Sequence, residues 1–270
     1  MTNTNLQIWL LGDNFIPKQL SKDIIKQLGI TYCSRKSDTD HIMNNYNNFG
    51  YATIDTGFKP ITLVKSCDII KKLNSHYEYL KKMNVSTIRI ILNIDEINQS
   101  SLTFDPEDIE HIDNINAELI TTALIREKSE NEFSYQDLHT SAIMTLYGEN
   151  FFPSEIDHVL SKIFHKGKSH NPNDINIRTH KPYDFGFISF KFSKETFPWN
   201  KLIDYIDLIC DNHEQIQSAG VDEIFIYIDT FDSPPHYIKW DPEVIHKLAL
   251  MKIGIGLSCY GYKNTPQKTI

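Results

Sequence analysis

Apolar positions along this chain fall into two series that read alike. In the first, Leu6–Leu11 is an apolar run closed by Gly12 and predicts a strand. Leu20, Ile24 and Leu28 then recur at four-residue spacing and predict a helix entered through Pro17 and stopped by Gly29. Tyr51–Asp55 predicts a strand, and Ser66 reads as the N-cap of a long helix with Ile69, Leu73, Tyr77 and Leu80 inward. Asn84 is placed to end that helix in a left-handed conformation. Ile88, Ile90, Leu92 and Ile94 alternate with residues that are themselves mostly apolar, so this strand is expected at the centre of a sheet. Asp105-Pro106-Glu107-Asp108 opens a helix, and Leu119–Ile125 closes the series as a strand.

The second series repeats the first. Ile156, Val159, Leu160 and Ile163 mark the first helix, Phe185–Phe192 a strand, and Trp199–Gln217 a helix with Leu202, Ile206, Ile209 and Ile216 inward. Gly220 ends that helix, Ile224, Ile226 and Ile228 form the central strand, Asp241-Pro242-Glu243 opens a helix, and Ile253–Cys259 is the last strand. Gly12-Asp13-Asn14-Phe15-Ile16-Pro17 returns as Gly148-Glu149-Asn150-Phe151-Phe152-Pro153, an offset of 148 − 12 = 136. Phe104-Asp105-Pro106-Glu107 returns as Trp240-Asp241-Pro242-Glu243, and 240 − 104 = 136 again. Matches in one register indicate an internal duplication. The expected domains are 1–128 and 136–262, with a tail at 263–270. Each is read as an α/β or α+β unit with a sheet of roughly four strands and packed helices, and the two are expected to form a pseudo-dimer. The expected core is Leu20, Ile24, Ile70, Leu73, Ile90 and Leu92 with Ile156, Leu160, Ile206, Ile209, Ile226 and Ile228.

Candidate chemistry is sparse. The repeated Gly-acid-Asn-Phe-x-Pro element reads as structural: Gly12, Asp13, Phe15 and Pro17, like Gly148, Glu149, Phe151 and Pro153, supply a tight turn over an apolar plug. Asp105 and Asp241 read as helix starts. The Cys33, Cys67, Cys210 and Cys259 thiols have no metal-ligand spacing, nor do His165, His170 and His180 in a polar loop from His165 to Pro182. Asp229 and Asp232 are acids three apart after a strand, but the first copy has Asn93 where the second has Asp229. Trp9, Trp199 and Trp240 are read as packing residues. No catalytic residue, metal or cofactor is expected.

Charge sharpens this. The net charge of −8 argues against nucleic acid as a ligand. No Lys or Arg occurs between Leu92 and Ile125, or between Leu202 and Ile238, although both stretches are rich in acids. No run of about 18 apolar residues and no secretory leader is visible, so a cytoplasmic protein with no membrane partner is expected.

A strand ending in Gly-Asp-Asn-Phe-x-Pro, a helix finishing Leu28-Gly29-Ile30 and a later Phe-Asp-Pro-Glu helix start resemble a bacterial domain family of unknown function. Some members are similar to immunity proteins encoded beside polymorphic toxins. The resemblance covers both halves. The basic segment after the first helix is reduced here to Arg35-Lys36 and, in the second copy, Lys166-Gly167-Lys168. It implies a cytoplasmic immunity protein that neutralises a basic cognate toxin domain by occluding its active site. The alternative is an enzyme with an unrecognised site in a cleft between the repeats. The expected contact face is Asp204, Asp207, Asp211 and Glu214, which share one side of a helix with no nearby cation.

Overall fold

A computed structural model describes residues 3–34, 39–40, 45–46, 50–57, 61–96, 99–125, 139–192, 201–231 and 236–260. The first repeat begins with β1 (Asn3–Gly12), a 3-10 turn (Pro17–Gln19), α1 (Lys22–Leu28) and β2 (Ile30–Ser34). The short strands β3 (Thr39–Asp40) and β4 (Asn45–Tyr46) pair with each other, and β5 (Gly50–Asp55) and β6 (Ile61–Thr62) follow. Then come α2 (Leu63–Ser75), α3 (Tyr77–Lys82), β7 (Thr87–Glu96), β8 (Gln99–Phe104), α4 (Pro106–Asn114) and β9 (Ala117–Ile125). The second repeat runs β10 (His139–Gly148), α5 (Ser154–Leu160), β11 (His165–His170), β12 (Gly186–Lys191), α6 (Leu202–Asp211) and α7 (His213–Ser218). It ends with β13 (Glu223–Phe231), β14 (His236–Trp240), α8 (Pro242–Leu250) and β15 (Ile253–Tyr260).

The fold is α+β. One sheet has seven strands in the order β14-β9-β7-β1-β5-β2, with β6 also on β1; the other has six in the order β8-β15-β13-β10-β12-β11. A shift of 136 carries one order onto the other, and the registers agree. Ile8 faces Ile90 as Met144 faces Ile226, and Ile90 faces Leu119 as Ile226 faces Ile255. Only β7–β9 and β13–β15 are parallel among the described pairs.

Each sheet carries one strand from the other repeat. β14 pairs with β9, placing Trp240 opposite Leu119, and β8 pairs with β15, placing Phe104 opposite Ile255. The compact units accordingly cut across the repeats: one is Met1–Ile97, Glu110–Arg126 and Pro234–His246, the other Asn98–Ile109, Glu127–Ser233 and Lys247–Ile270.

The sheets are larger than the four strands expected from the pattern. The four strands read in each half are present, and edge strands extend them. β11 is His165-Lys166-Gly167-Lys168-Ser169-His170, nearly all exposed, so it lacks the apolar alternation by which a half-buried strand is recognised. The expected polar loop from His165 to Pro182 therefore starts as an edge strand.

Alternating burial places the core. Leu6, Ile8, Leu10, Ile90 and Leu92 are fully buried, as are Met144, Leu146, Ile226 and Ile228, which makes β7 and β13 central as their sequences imply. Leu20, Ile70, Leu73, Ile156, Leu160, Ile206 and Ile209 are also buried; Ile24 is only half-buried. α1 begins late, at Lys22, because the Ser21 hydroxyl accepts from the Ile24 amide (3.2 Å) and Pro17 opens the separate 3-10 turn.

Ser66 is not the cap of α2. Thr62 accepts from the Lys65 amide (3.3 Å), while Ser66 is buried with its hydroxyl 2.8 Å from that of Thr4. The long helix also breaks at His76, so Tyr77 and Leu80 belong to α3. The matching break in the second repeat is Asn212, whose side-chain amide donates to the Leu208 carbonyl (2.7 Å) and competes with the helix ladder. Asn84 (φ 64°) and Gly220 (φ 83°) both take the left-handed conformation after these helices.

The repeated turn is built by close approach. A Cβ on Gly50 would lie 1.8 Å from the Phe15 carbonyl oxygen, and one on Gly186 would lie 1.7 Å from that of Phe151. Gly12 faces Gly50 across β1–β5, and Gly148 faces Gly186 across β10–β12, so these residues form the seat of the motif. Phe15 and Phe151 are buried plugs beneath it.

Candidate partner-binding surface

The expected contact residues lie on α6 and α7. Ile206, Ile209 and Ile216 turn inward and are fully buried, leaving Asp204, Asp211 and Glu214 exposed. Two features differ from the sequence reading. The break at Asn212 puts Glu214 on a different helix from the three aspartates. Asp207 also has a cation: Lys247, on α8 and 40 residues later, donates to its carboxylate at 2.6 Å. Absence of Lys or Arg from a local stretch says nothing about what packs across it from another element. Asp204, Asp211 and Glu214 form no ion pair with Lys or Arg among the described residues.

The structural motif residues sit as their chemistry requires. Gly12, Phe15, Pro17, Gly148, Phe151 and Pro153 are buried, and Asp13 and Glu149 are exposed. The Asp105 and Asp241 carbonyls accept from the Ile109 and Ile245 amides, each at 3.1 Å, opening α4 and α8.

Sequence reasoning did not single out what gathers beside the second copy of this turn. Tyr147, next to last in β10, pairs with Phe187 on one side and Glu223 on the other. Its ring lies 5.0 Å from the Phe187 ring and 6.0 Å from the Phe185 ring, tilted 50° to the latter. Tyr147, Gly148, Glu149, Phe185, Asp222 and Glu223 line an open cavity of about 550 Å³. The Glu149 amide donates to the Asp222 carboxylate (2.9 Å), which fixes that group at the rim. Glu149, Asp222 and Glu223 are exposed, and among the described residues none of them pairs with Lys or Arg. Burial, together with nearby Tyr147, Glu223 and Asp105, pushes the neighbouring Tyr227 phenol upward.

Phe185 also contacts His170 and Tyr183, which line a second cavity of mixed charge. Lys168, His170, Asp174, Ile177, Arg178 and Tyr183 are among the residues around this cavity of about 700 Å³. His170 stacks on Tyr183 with ring centroids 3.6 Å apart. His165 stands on the β11 edge, and His180 occupies a left-handed position (φ 55°) in a turn where its amide donates to the Asn176 carbonyl. Among the described residues no group of three or more His, Cys, Asp or Glu is placed to hold a metal ion. Lys166 pairs with Asp157; Arg35 and Lys36 lie outside the described residues.

Asp229 lies opposite Ser258 across β13–β15, and both are half-buried. Burial pushes its carboxyl up, while the hydrogen bond from Ser258 works in the opposite direction. Its sequence companion Asp232 lies outside the described residues. Cys33, Cys67 and Cys210 stand outside any disulfide, and burial raises the Cys33 and Cys210 thiols. Trp240 is buried, Trp9 is half-buried with the Arg89 guanidinium 5.9 Å from its ring, and Trp199 lies outside the described residues.

No described helix is long and apolar enough to cross a membrane. In comparisons with known proteins, no family model, no curated protein and no solved structure matches this chain.

Proposed function

We propose that this chain is a binding protein of the immunity type, which captures a basic cognate toxin domain and covers its active site. The observation that supports this reading is the set of exposed carboxylates in the second repeat without a cation among the described residues: Asp204, Asp211 and Glu214 on the helices, and Glu149, Asp222 and Glu223 around the cavity. Such a surface attracts a basic partner and orients it on approach. The net charge of −8 repels nucleic acid and favours the same class of partner.

The test is co-expression with the product of the adjacent coding sequence, followed by co-purification and titration. Asp207 is already matched by Lys247, so Asp204→Lys and Asp211→Lys are the informative reversals. Together they should weaken binding roughly tenfold at low salt, with the difference shrinking at high salt as the charges are screened. Capture of no basic partner by the parent protein overturns the reading. Equal affinity of parent and double variant at both salt levels removes α6 from the contact.

A further inference from the structure

We infer that the cavity beside the second Gly-acid-Asn-Phe turn is a socket for a cationic side chain, arginine before lysine, offered by a protein partner. Its aromatic and acidic lining residues supply complementary halves of that recognition. The rings of Tyr147 and Phe185, 6.0 Å apart and tilted by 50°, both line it and supply aromatic surface against which a guanidinium can pack. Glu149, Asp222 and Glu223 also line it and are exposed, so a guanidinium lodged there has carboxylate oxygens to donate to. Asp222 is held in place by the Glu149 amide, so one of these acceptors is oriented before any ligand arrives. The volume, about 550 Å³, is within the range of small-ligand pockets.

The first repeat serves as an internal control. It has the same strand order, the same seat of glycines and the same buried plug, yet carries Leu11, Ser86 and Thr87 where the second repeat has Tyr147, Asp222 and Glu223. The positions correspond by 147 − 136 = 11, 222 − 136 = 86 and 223 − 136 = 87. The backbone conditions of the turn are met in both copies. The Ser86 amide donates to the Leu11 carbonyl and the Asp222 amide to the Tyr147 carbonyl, each at 2.8 Å. Forming the turn therefore requires neither Tyr147 nor the carboxylates of Asp222 and Glu223; the first repeat has Phe49 and Asp13 at the positions of Phe185 and Glu149. The cavity lined by Lys168 and Arg178 sets two cations against the single carboxylate of Asp174, which makes it the poorer seat for a guanidinium.

The identity of the partner rests on the binding reading above; the socket can be tested without it. The probe is L-argininamide, with L-citrullinamide as its uncharged counterpart, titrated into the full chain by NMR. Argininamide should shift the ring signals of Tyr147 and Phe185 saturably, and citrullinamide should not. The variant Tyr147→Leu/Asp222→Ser/Glu223→Thr installs residues that the same fold already accepts in the first repeat. It should lose about tenfold or more in argininamide affinity. Glu223→Gln alone, with the packing untouched, should lose a few-fold. Equal shifts with citrullinamide, or unchanged affinity in these variants, overturn the socket. A basic partner captured by a protein that ignores argininamide refutes the socket and leaves the binding reading in place. Argininamide binding without capture of any basic partner does the reverse.

Discussion

The two sheets share strand order and register but present opposite chemistry on the face turned away from their isoleucine cores. In the first sheet, Trp9, Arg89 and Glu118 lie side by side on β1, β7 and β9, and Lys239 reaches the row from β14. Arg89 and Lys239 both pair with Glu118, which is only 7% exposed, and Lys239 also reaches Asp241 at 2.7 Å. In the second sheet the matching positions hold Thr145, Phe225, Gly254 and Thr103. There the Phe225 and Tyr227 rings stack 5.7 Å apart, and Gly254 and Gly256 leave room for them on the neighbouring strand. One pattern of inward residues thus supports either a charged lattice or an aromatic one. The backbone and the core are what the duplication holds in common; the outer residues are where the copies have become different.

That division is open to measurement. The shared part should respond equally in both copies, and most strongly. Ile90→Ala and Ile226→Ala each remove a fully buried side chain from a central strand and should cost about 2–5 kcal/mol in denaturant unfolding. A cost near zero in one copy alone would break the equivalence of the cores.

The next effect is specific to the first sheet. Burial would raise the Glu118 carboxyl, but hydrogen bonds and charge from Lys239 and Arg89 outweigh it and hold the group below the ordinary glutamate range. Glu118→Gln leaves two cations facing a neutral amide and should cost about 2–4 kcal/mol at neutral pH. A depressed carboxyl stabilises the fold above its unfolded pKa, about 4.3, and that stabilisation is lost as pH falls through the lower folded value. The gap between parent and Glu118→Gln should therefore narrow on acidification below about pH 4. A gap that stays constant from pH 7 to pH 3 would show that these ion pairs do not contribute.

The smallest effect is specific to the second sheet. Asp229 is a half-buried acid held above its usual range, chiefly by burial, and the first repeat has Asn93 in its place. A raised acid is tolerated in its protonated form below the unfolded pKa and penalised as pH rises through the folded value. Asp229→Asn should thus raise stability at pH 7 by a few tenths of a kcal/mol to about 1 kcal/mol, a figure kept small by solvent screening. The gain should fade near pH 4. A loss of stability at pH 7 would mean that the carboxylate form is held by more than the Ser258 hydroxyl.

The legible parts of the fold were those determined by neighbours in sequence. Alternation at Ile88, Ile90 and Leu92 marked a strand with one buried face, and β7 is paired along both of its edges. Asn84 and Gly220 marked left-handed helix ends because few other residues accept that backbone. Features set by distant residues were not legible. The alternation of Leu102 and Phe104 describes a strand but not which sheet receives it, so the exchange of β8 and β14 was invisible. Either Thr62 or Ser66 can cap a helix, and the choice depends on Thr4 reaching across from β1. Lys247 neutralises Asp207 from another helix. The socket draws on Tyr147, Phe185 and Asp222, which lie far apart in the chain; a residue-by-residue comparison of the copies was the one signal that could have exposed it.

The exchanged strands also set the order in which the chain can be finished. β1 and β5 meet once 50 − 12 = 38 further residues have been made, Gly12 opposite Gly50, but Leu119 must wait for Trp240, 240 − 119 = 121 residues later. Phe104 waits for Ile255, 255 − 104 = 151 residues later. At ~5–20 residues per second, a nascent chain holds the β9 edge unpaired for about 6–24 seconds before β14 has been made. During that interval the open edge is available to other nascent copies and to chaperones alike. A ribosome that stalls before residue 236 releases a chain in which the first sheet lacks its last strand and β8 has no partner.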